Sequence, residues 1–189
     1  MVRPPAQPGD PVIESPRGII RVWLYRFKPG TKWESEKRVG KLLEDSVVAR
    51  TMILYGFEPH VRPNFVTWLI SRLREKEKVS VVTDQYGNPT LADELAGVLW
   101  KLLAAPIRGV LHAAGREWIH RFDFACRIAE CFNLDGRLIE RTTSDRFKQP
   151  APRPLKSGLL CERLKADLGI EMLSVSEGLE EMRRRWERP

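Results

Sequence analysis

From Thr31 onward the sequence predicts an α/β domain in which short strands alternate with covering helices. Three observations predict it. Hydrophobic residues switch between a period of about two and a period of about 3.6 along the chain. The strand-like runs are short, β-branched or apolar, and bounded by polar or turn residues. The segments between them carry an apolar stripe at i, i+3, i+4, i+7 spacing. With 189 residues a single core is expected, burying about 70% of the unfolded chain's surface, so neither a metal nor a disulfide is required to hold it.

Residues 1–30 read as a loop-rich arm. Pro4, Pro5, Pro8, Pro11, Pro16 and Pro29 fall there with Gly9, Gly18 and Gly30, and proline both fixes φ and removes a backbone donor. Only residues 19–27 have strand-like content, and Arg21, Arg26 and Lys28 suit an edge better than a buried centre. Residues 31–189 form the domain. Its first strand is predicted over 47–54. A helix follows with Val66, Leu69, Ile70 and Leu73 on one face, then a strand over 79–83. Thr90 with Asp93 has the spacing of a capping box, so the next helix starts there and buries Leu91, Leu95, Val98, Leu99 and Leu102. A strand over 109–113 precedes a helix over 121–132 whose inner face is Phe124, Ala125, Ile128, Ala129 and Phe132. Ser174 with Glu177 caps a last helix that buries Val175, Leu179, Met182 and Trp186.

Charge and composition exclude several classes of function. The formal net charge is +7, but the cations alternate with acids, as in residues 74–78 and 34–38, which is the pattern of a solvated helix face and not of a phosphate-binding stripe. Only Arg183, Arg184 and Arg185 run together, near the end of a helix whose dipole favours them. No nucleic acid is expected as partner. No apolar run reaches the ~18 residues of a membrane helix, and residues 1–18 have no apolar core of a signal peptide, so a cytoplasmic protein is expected. Cys126, Cys131 and Cys161 contain no Cys-x-x-Cys pair and are expected reduced. His60, His112 and His120 lack metal-ligand spacing, so no metal site is proposed, and His112 reads as a structural residue.

Searches for a glycine-rich dinucleotide loop, a Walker loop, H-E-x-x-H or G-x-S-x-G return nothing. The informative feature is an ordered set of segments: residues 31–37 (TKWESEK), 50–56 (RTMILYG), 64–65 (NF), 84–90 (DQYGNPT), 109–115 (GVLHAAG), Arg153-Pro154, and 161–170 (CERLKADLGI). As a set, they resemble the C-terminal half of the extended short-chain dehydrogenase/reductases, in particular the dTDP-4-dehydrorhamnose reductase family. The resemblance covers residues 31–189 and implies the substrate-binding portion of a partial Rossmann-like fold.

That family reduces a nucleotide-sugar ketone with NADP or NAD, held by an N-terminal Rossmann domain that residues 1–30 are too short to supply. Dinucleotide binding by this chain alone is therefore not expected. The arm matches nothing in the family and reads as an unrelated start or a reading-frame accident joined before Thr31. The family's Tyr-x-x-x-Lys pair places the catalytic lysine at Lys32 and the proton-donating tyrosine at position 28, which holds Lys28. A second register, with Lys37 as the lysine and Trp33 in the tyrosine's place, misaligns Glu34 and Glu36 with the family. Neither register supplies a phenol, and Tyr25 lies three residues too early. The resemblance assigns substrate contacts to Tyr55, Asn64, Phe65, Gln85, Thr90 and Arg153, and cofactor contacts to Met52 and Ile53. A guanidinium fork at Arg153 suits a diphosphate. Each assignment has a plainer reading beside it: Thr90 as a helix cap, Phe65 as core, Gln85 as part of a turn.

Two departures stand out. The family's reductases commonly carry tryptophan where Ile53 stands and aspartate where Leu160 stands. The segment 52–56 instead resembles the regulatory β subunit of methionine adenosyltransferase, which keeps the fold and works as a binding partner. The resemblance thus implies a nucleotide-sugar binder that is not catalytic alone, with a non-catalytic regulatory subunit or a stand-alone nucleotide-sugar binder as alternatives. Apolar surface left by the missing half predicts a homo-oligomer or a companion chain.

Overall fold

The computed structural model describes residues 12–15, 18–21, 31–43, 45–147 and 154–187. Within the arm, β1 (Val12–Ser15) and β2 (Gly18–Arg21) pair antiparallel, Val12 opposite Arg21. The expected strand over 19–27 is therefore present as far as Arg21, and its remainder lies outside the described residues. Helix α1 (Thr31–Leu42) follows; its surface is largely exposed, and apolar periodicity gave no hint of it.

The strand expected over 47–54 is two strands. β3 (Val47–Arg50) and β4 (Leu54–Tyr55) are separated by Ile53, whose φ of 48° lies in the left-handed region that a β-branched residue rarely adopts. One extended run cannot pass through that conformation, so the chain turns and the two pieces enter different sheets. β3 pairs parallel with β8 (Gly109–His112), Val48 opposite Val110, while β4 pairs parallel with β7 (Thr90–Leu91). β5 (Val79–Val82) pairs parallel with β10 (Ile139–Thr142), and β6 (Tyr86–Gly87) pairs antiparallel with β9 (Ile119–His120).

Two cores follow from the helix stripes. The larger one joins α2 (Phe65–Arg74), α4 (Arg121–Cys131) and α6 (Val175–Trp186) over β5, through Leu69, Ile70, Phe124, Ile128, Leu179 and Met182. The smaller one joins α3 (Ala92–Ala104), α5 (Glu162–Leu168) and β8 through Leu95, Val98, Leu102, Leu111 and Leu164. Each predicted stripe is buried where the spacing placed it, except Leu99, which is exposed on α3, and Phe132 and Trp186, which pack only partly buried against the larger core. Among the described residues no helix is long and apolar enough to cross a membrane. All three cysteines are unbridged, and His112 Nδ1 lies 3.0 Å from the Leu160 carbonyl oxygen, a structural contact.

Helix starts show how local chemistry and tertiary context compete. Ser174 caps α6 as expected: its hydroxyl accepts from the Glu177 N–H, and the Glu177 carboxylate accepts from the Ser174 N–H at 2.7 Å. Thr90 does not cap α3. Leu91 occupies the cap position with no side-chain bond, because the Thr90 hydroxyl is drawn inward to other partners. A capping box that the apolar pattern concealed sits instead at Asn64 and Thr67, opening α2. Replacing Ser174 by alanine is expected to cost about 1 kcal/mol in urea unfolding, the ordinary worth of a serine cap, whereas Asp93→Ala should remove no cap bond from α3 and lose only an exposed ion pair with Arg185 and a helix-dipole contribution.

Candidate functional site

The site is organised around β6. On one side the Arg121 N–H, just after β9, donates to the Gln85 carbonyl at 2.9 Å. On the other, Tyr86 forms a parallel bridge with Lys156, and its N–H donates to the Leu155 carbonyl at 2.7 Å. These two-residue pairings bring the start of α4 and the segment after position 154 to one end of the same small sheet. The side chains of Ile53 and Met52 press on Gly87: a Cβ there would lie 2.5 Å from Ile53 Cδ1 and 2.8 Å from Met52 Cε, so a larger residue would have to push those side-chain ends aside.

Gln85 is held in turn. Its Nε2 donates to Ser144 Oγ at 2.9 Å, and Ser144 donates to Asp84 through both its N–H (2.9 Å) and its hydroxyl (2.7 Å). Desolvation pushes the Asp84 carboxyl up, but those two bonds outweigh it and leave the group below the usual carboxylate range. Phe65, the first residue of α2, stacks on Trp68 at 5.9 Å between centroids. The Arg121 guanidinium lies 4.1 Å above the Phe65 ring.

Gln85 and Phe65 are thus linked through Arg121, which bonds the backbone of one and covers the ring of the other, while Met52 and Ile53 pack on Gly87. Three other expected site residues are buried or spent on structural bonds. Tyr55 is 3% exposed, its ring 5.5 Å from Phe124 and its hydroxyl against Gly178 of α6; burial pushes its phenol far above its ordinary range. Asn64 spends its side chain on the helix start, accepting from the Val66 and Thr67 N–H groups and donating to the Gly56 carbonyl. Thr90 is fully buried: its hydroxyl donates within reach of the Met52 and Asn88 carbonyls and accepts from the Gly115 N–H, while its own N–H donates to the Ile53 carbonyl. That set of bonds holds Ile53 in its left-handed conformation, a local strain of order 1–3 kcal/mol that the surrounding contacts overcome. Lys32 lies in the first turn of α1, its side chain outside the described part; Lys28 and Arg153 also lie outside the described residues.

Sequence reasoning missed Arg121. The stripe located its helix, but the pairing that brings it beside Gln85 runs over two residues on each strand, too short for periodicity to register.

The RmlD substrate binding domain matches residues 27–187. The chain belongs to that family. It is similar to the spore coat polysaccharide biosynthesis protein SpsK of Bacillus subtilis, 31% identical over 81% of this chain and 54% of the relative. It is also similar to the methionine adenosyltransferase 2 subunit beta of Bos taurus, 31% identical over 74% of this chain and 43% of that one. Among solved structures, dTDP-4-dehydrorhamnose reductase from Bacillus anthracis, in complex with NADP, superposes with a TM-score of 0.76 at 29% identity, over 82% of this chain and 54% of that chain. The fold is accordingly that of the Rossmann-like extended reductases, and the chain spans about half the length of the curated relatives it matches.

A dinucleotide pyrophosphate needs a strand that passes through a tight glycine turn into a helix N-terminus. In this RmlD domain α3 and α4 continue directly from two-residue strands, and α2 starts from the Asn64 cap after the loop 56–64. Among the described residues no helix start offers that cradle, so these residues do not by themselves fit NAD(P).

Proposed function

We propose that this chain is the nucleotide-sugar-holding part of an NAD(P)H-dependent 4-keto reductase of the dTDP-4-dehydrorhamnose reductase type, acting in the cytoplasm, and that by itself it binds without reducing. Residues 31–189 are the binding domain and residues 1–30 an arm outside it. The observation that carries the reading is that one short segment carries both Gln85, bonded to the Arg121 backbone whose guanidinium covers Phe65, and Gly87, on which Met52 and Ile53 pack, four residues that the resemblance assigns to substrate and cofactor. There the Gln85 amide offers a fixed donor and acceptor pair, Phe65 a flat apolar surface, and the Met52–Ile53 turn an aliphatic wall in place of the tryptophan common in the family. Arg153 supplies a bidentate fork for a diphosphate. Lys32 is the family's lysine, but with Lys28 in the tyrosine's place there is no phenol for it to activate.

Calorimetric titration of the full chain with dTDP, then dTDP-rhamnose, then NADPH, tests this. Heat is expected with the first two. Ketone-dependent oxidation of NADPH by the purified chain would overturn the non-catalytic assignment. A second reading, a regulatory subunit, is favoured by the similarity to methionine adenosyltransferase 2 subunit beta. It predicts heat with a methionine adenosyltransferase catalytic subunit and none with dTDP.

A further inference from the structure

We infer that Asp84 and Ser144 are positioning residues that set which way round the Gln85 amide faces, so that Gln85 keeps its oxygen as the open acceptor and selects a bound molecule that brings an N–H or O–H donor. The inference rests on the nucleotide-sugar reading above and deepens it.

The three residues meet because of strand register. β5 and β10 run parallel with a constant offset, from Val79 opposite Ile139 to Val82 opposite Thr142, and the Thr83 N–H donates to the Thr142 carbonyl at 2.9 Å. The same offset puts Asp84 beside Ser144, just past the strand ends.

A carboxamide can be turned over, oxygen and nitrogen exchanged, at little steric cost, so the bonds around it decide its direction. Here the decision starts at Asp84. Its carboxylate, held below the usual range, carries no proton and can only accept. Oδ2 takes the Ser144 N–H at 2.9 Å, and Oδ1 lies 2.7 Å from Ser144 Oγ, so the hydroxyl proton points at Asp84. Oγ then has only lone pairs left for Gln85, and the atom 2.9 Å away is Nε2. Turned over, the amide would set two oxygens against each other with no proton between them. Among the described residues Gln85 Oε1 has no hydrogen-bond partner, and it is not sealed from solvent. An open acceptor of fixed direction matches donors alone. A pyrimidine imide N–H and a sugar hydroxyl share that chemistry, and the test separates them.

The full chain and its Asp84→Asn, Ser144→Ala and Gln85→Met variants are titrated calorimetrically with dTDP, with dTDP methylated at N3 of the base, and with dTDP-rhamnose, after circular dichroism and thermal melting verify each fold. Asparagine keeps the shape and an acceptor for the Ser144 N–H. It can also donate to Oγ, which frees the hydroxyl to donate to Gln85 and lets the amide turn over. The wild-type chain is expected to prefer dTDP over its methylated form if the donor is the imide, or dTDP-rhamnose over dTDP if it is a sugar hydroxyl, by about three- to tenfold, the worth of one hydrogen bond. Each single variant should bring that ratio close to one, and Asp84→Asn added to Gln85→Met should change it no further, because the relay acts only through the amide. Residues that merely supported the fold would lower the melting temperature and leave the ratio alone. Should Asp84→Asn fail to fold, Ser144→Ala, which deletes only a hydroxyl, decides. A folded Asp84→Asn or Ser144→Ala protein that keeps the wild-type ratio, a ratio that survives Gln85→Met, or a wild-type chain with neither preference overturns this assignment and leaves the nucleotide reading standing. A wild-type chain that binds none of the three compounds overturns both.

Discussion

Gly115→Ala should destabilise the protein by about 3 kcal/mol, toward the upper end for overpacking, and should weaken nucleotide binding in whatever fraction stays folded. A Cβ at Gly115 would lie 1.9 Å from the Pro89 carbonyl oxygen and 3.0 Å from its carbon. Those are backbone atoms, so no rotamer change relieves the clash; the segment 88–90 between β6 and β7 has to move. That segment is fastened to Gly115 twice, by Asn88 Nδ2 donating to the Gly115 carbonyl at 2.9 Å and by the Gly115 N–H donating to the Thr90 hydroxyl at 3.0 Å. Displacing it releases the bond from the Thr90 N–H to the Ile53 carbonyl, and with it the wall of the site. Urea unfolding of the variant beside Gly97→Ala measures the effect. Gly97 sits inside α3 with nothing within 4 Å of its added Cβ, so that substitution should be neutral or stabilising by up to about 1 kcal/mol. Equal stability for the two variants would show that residues 88–90 tolerate the displacement and that the fastening does not matter.

How much of this was legible in the sequence depends on what each signal needs. The helices of the core were readable because ten or more residues repeat one spacing: Val66, Leu69, Ile70 and Leu73 are all buried on α2 as the pattern placed them. The Ser174 cap was readable because its partners lie within three residues. The Thr90 cap failed for a physical reason: a buried threonine has several partners to choose from, and the carbonyls and N–H of strands distant in sequence outcompeted the local N–H at Asp93. The strand over 47–54 was drawn too long because composition registers β-branched residues and not the φ of Ile53. The site was the least legible. Gln85, Phe65, Met52 and Ile53 came from the resemblance, and that source could not separate them from Tyr55 and Thr90, which the fold buries. The stripe located the helix that starts at Arg121 but not that residue's place beside Gln85, which is set by two pairs of residues in β6 and β9 that no periodicity marks.

Thr90→Val isolates the hydroxyl that organises this region. Valine has nearly the same shape, so the substitution leaves the packing of a fully buried side chain in place and removes a donor and an acceptor together. The Gly115 N–H loses its partner, and the Met52 carbonyl loses the 2.8 Å bond it receives. An unpaired buried group costs about 1–3 kcal/mol, so the pair is worth about 3 kcal/mol, which for a chain of this size lowers Tm by about 9 °C. Thr90→Ser keeps the oxygen and gives up one methyl, worth about 0.8 kcal/mol. A merely structural threonine would show up in melting alone. Here the bonds lost also hold the turn that carries Met52 and Ile53, so Thr90→Val should weaken dTDP binding below its melting range and Thr90→Ser should restore it. A valine variant that melts with the wild type, or one that melts early yet binds dTDP with undiminished affinity, would separate the buried hydroxyl from the wall of the site. In the first case Ile53 keeps its left-handed φ without the latch; in the second the wall makes no contact that the nucleotide feels.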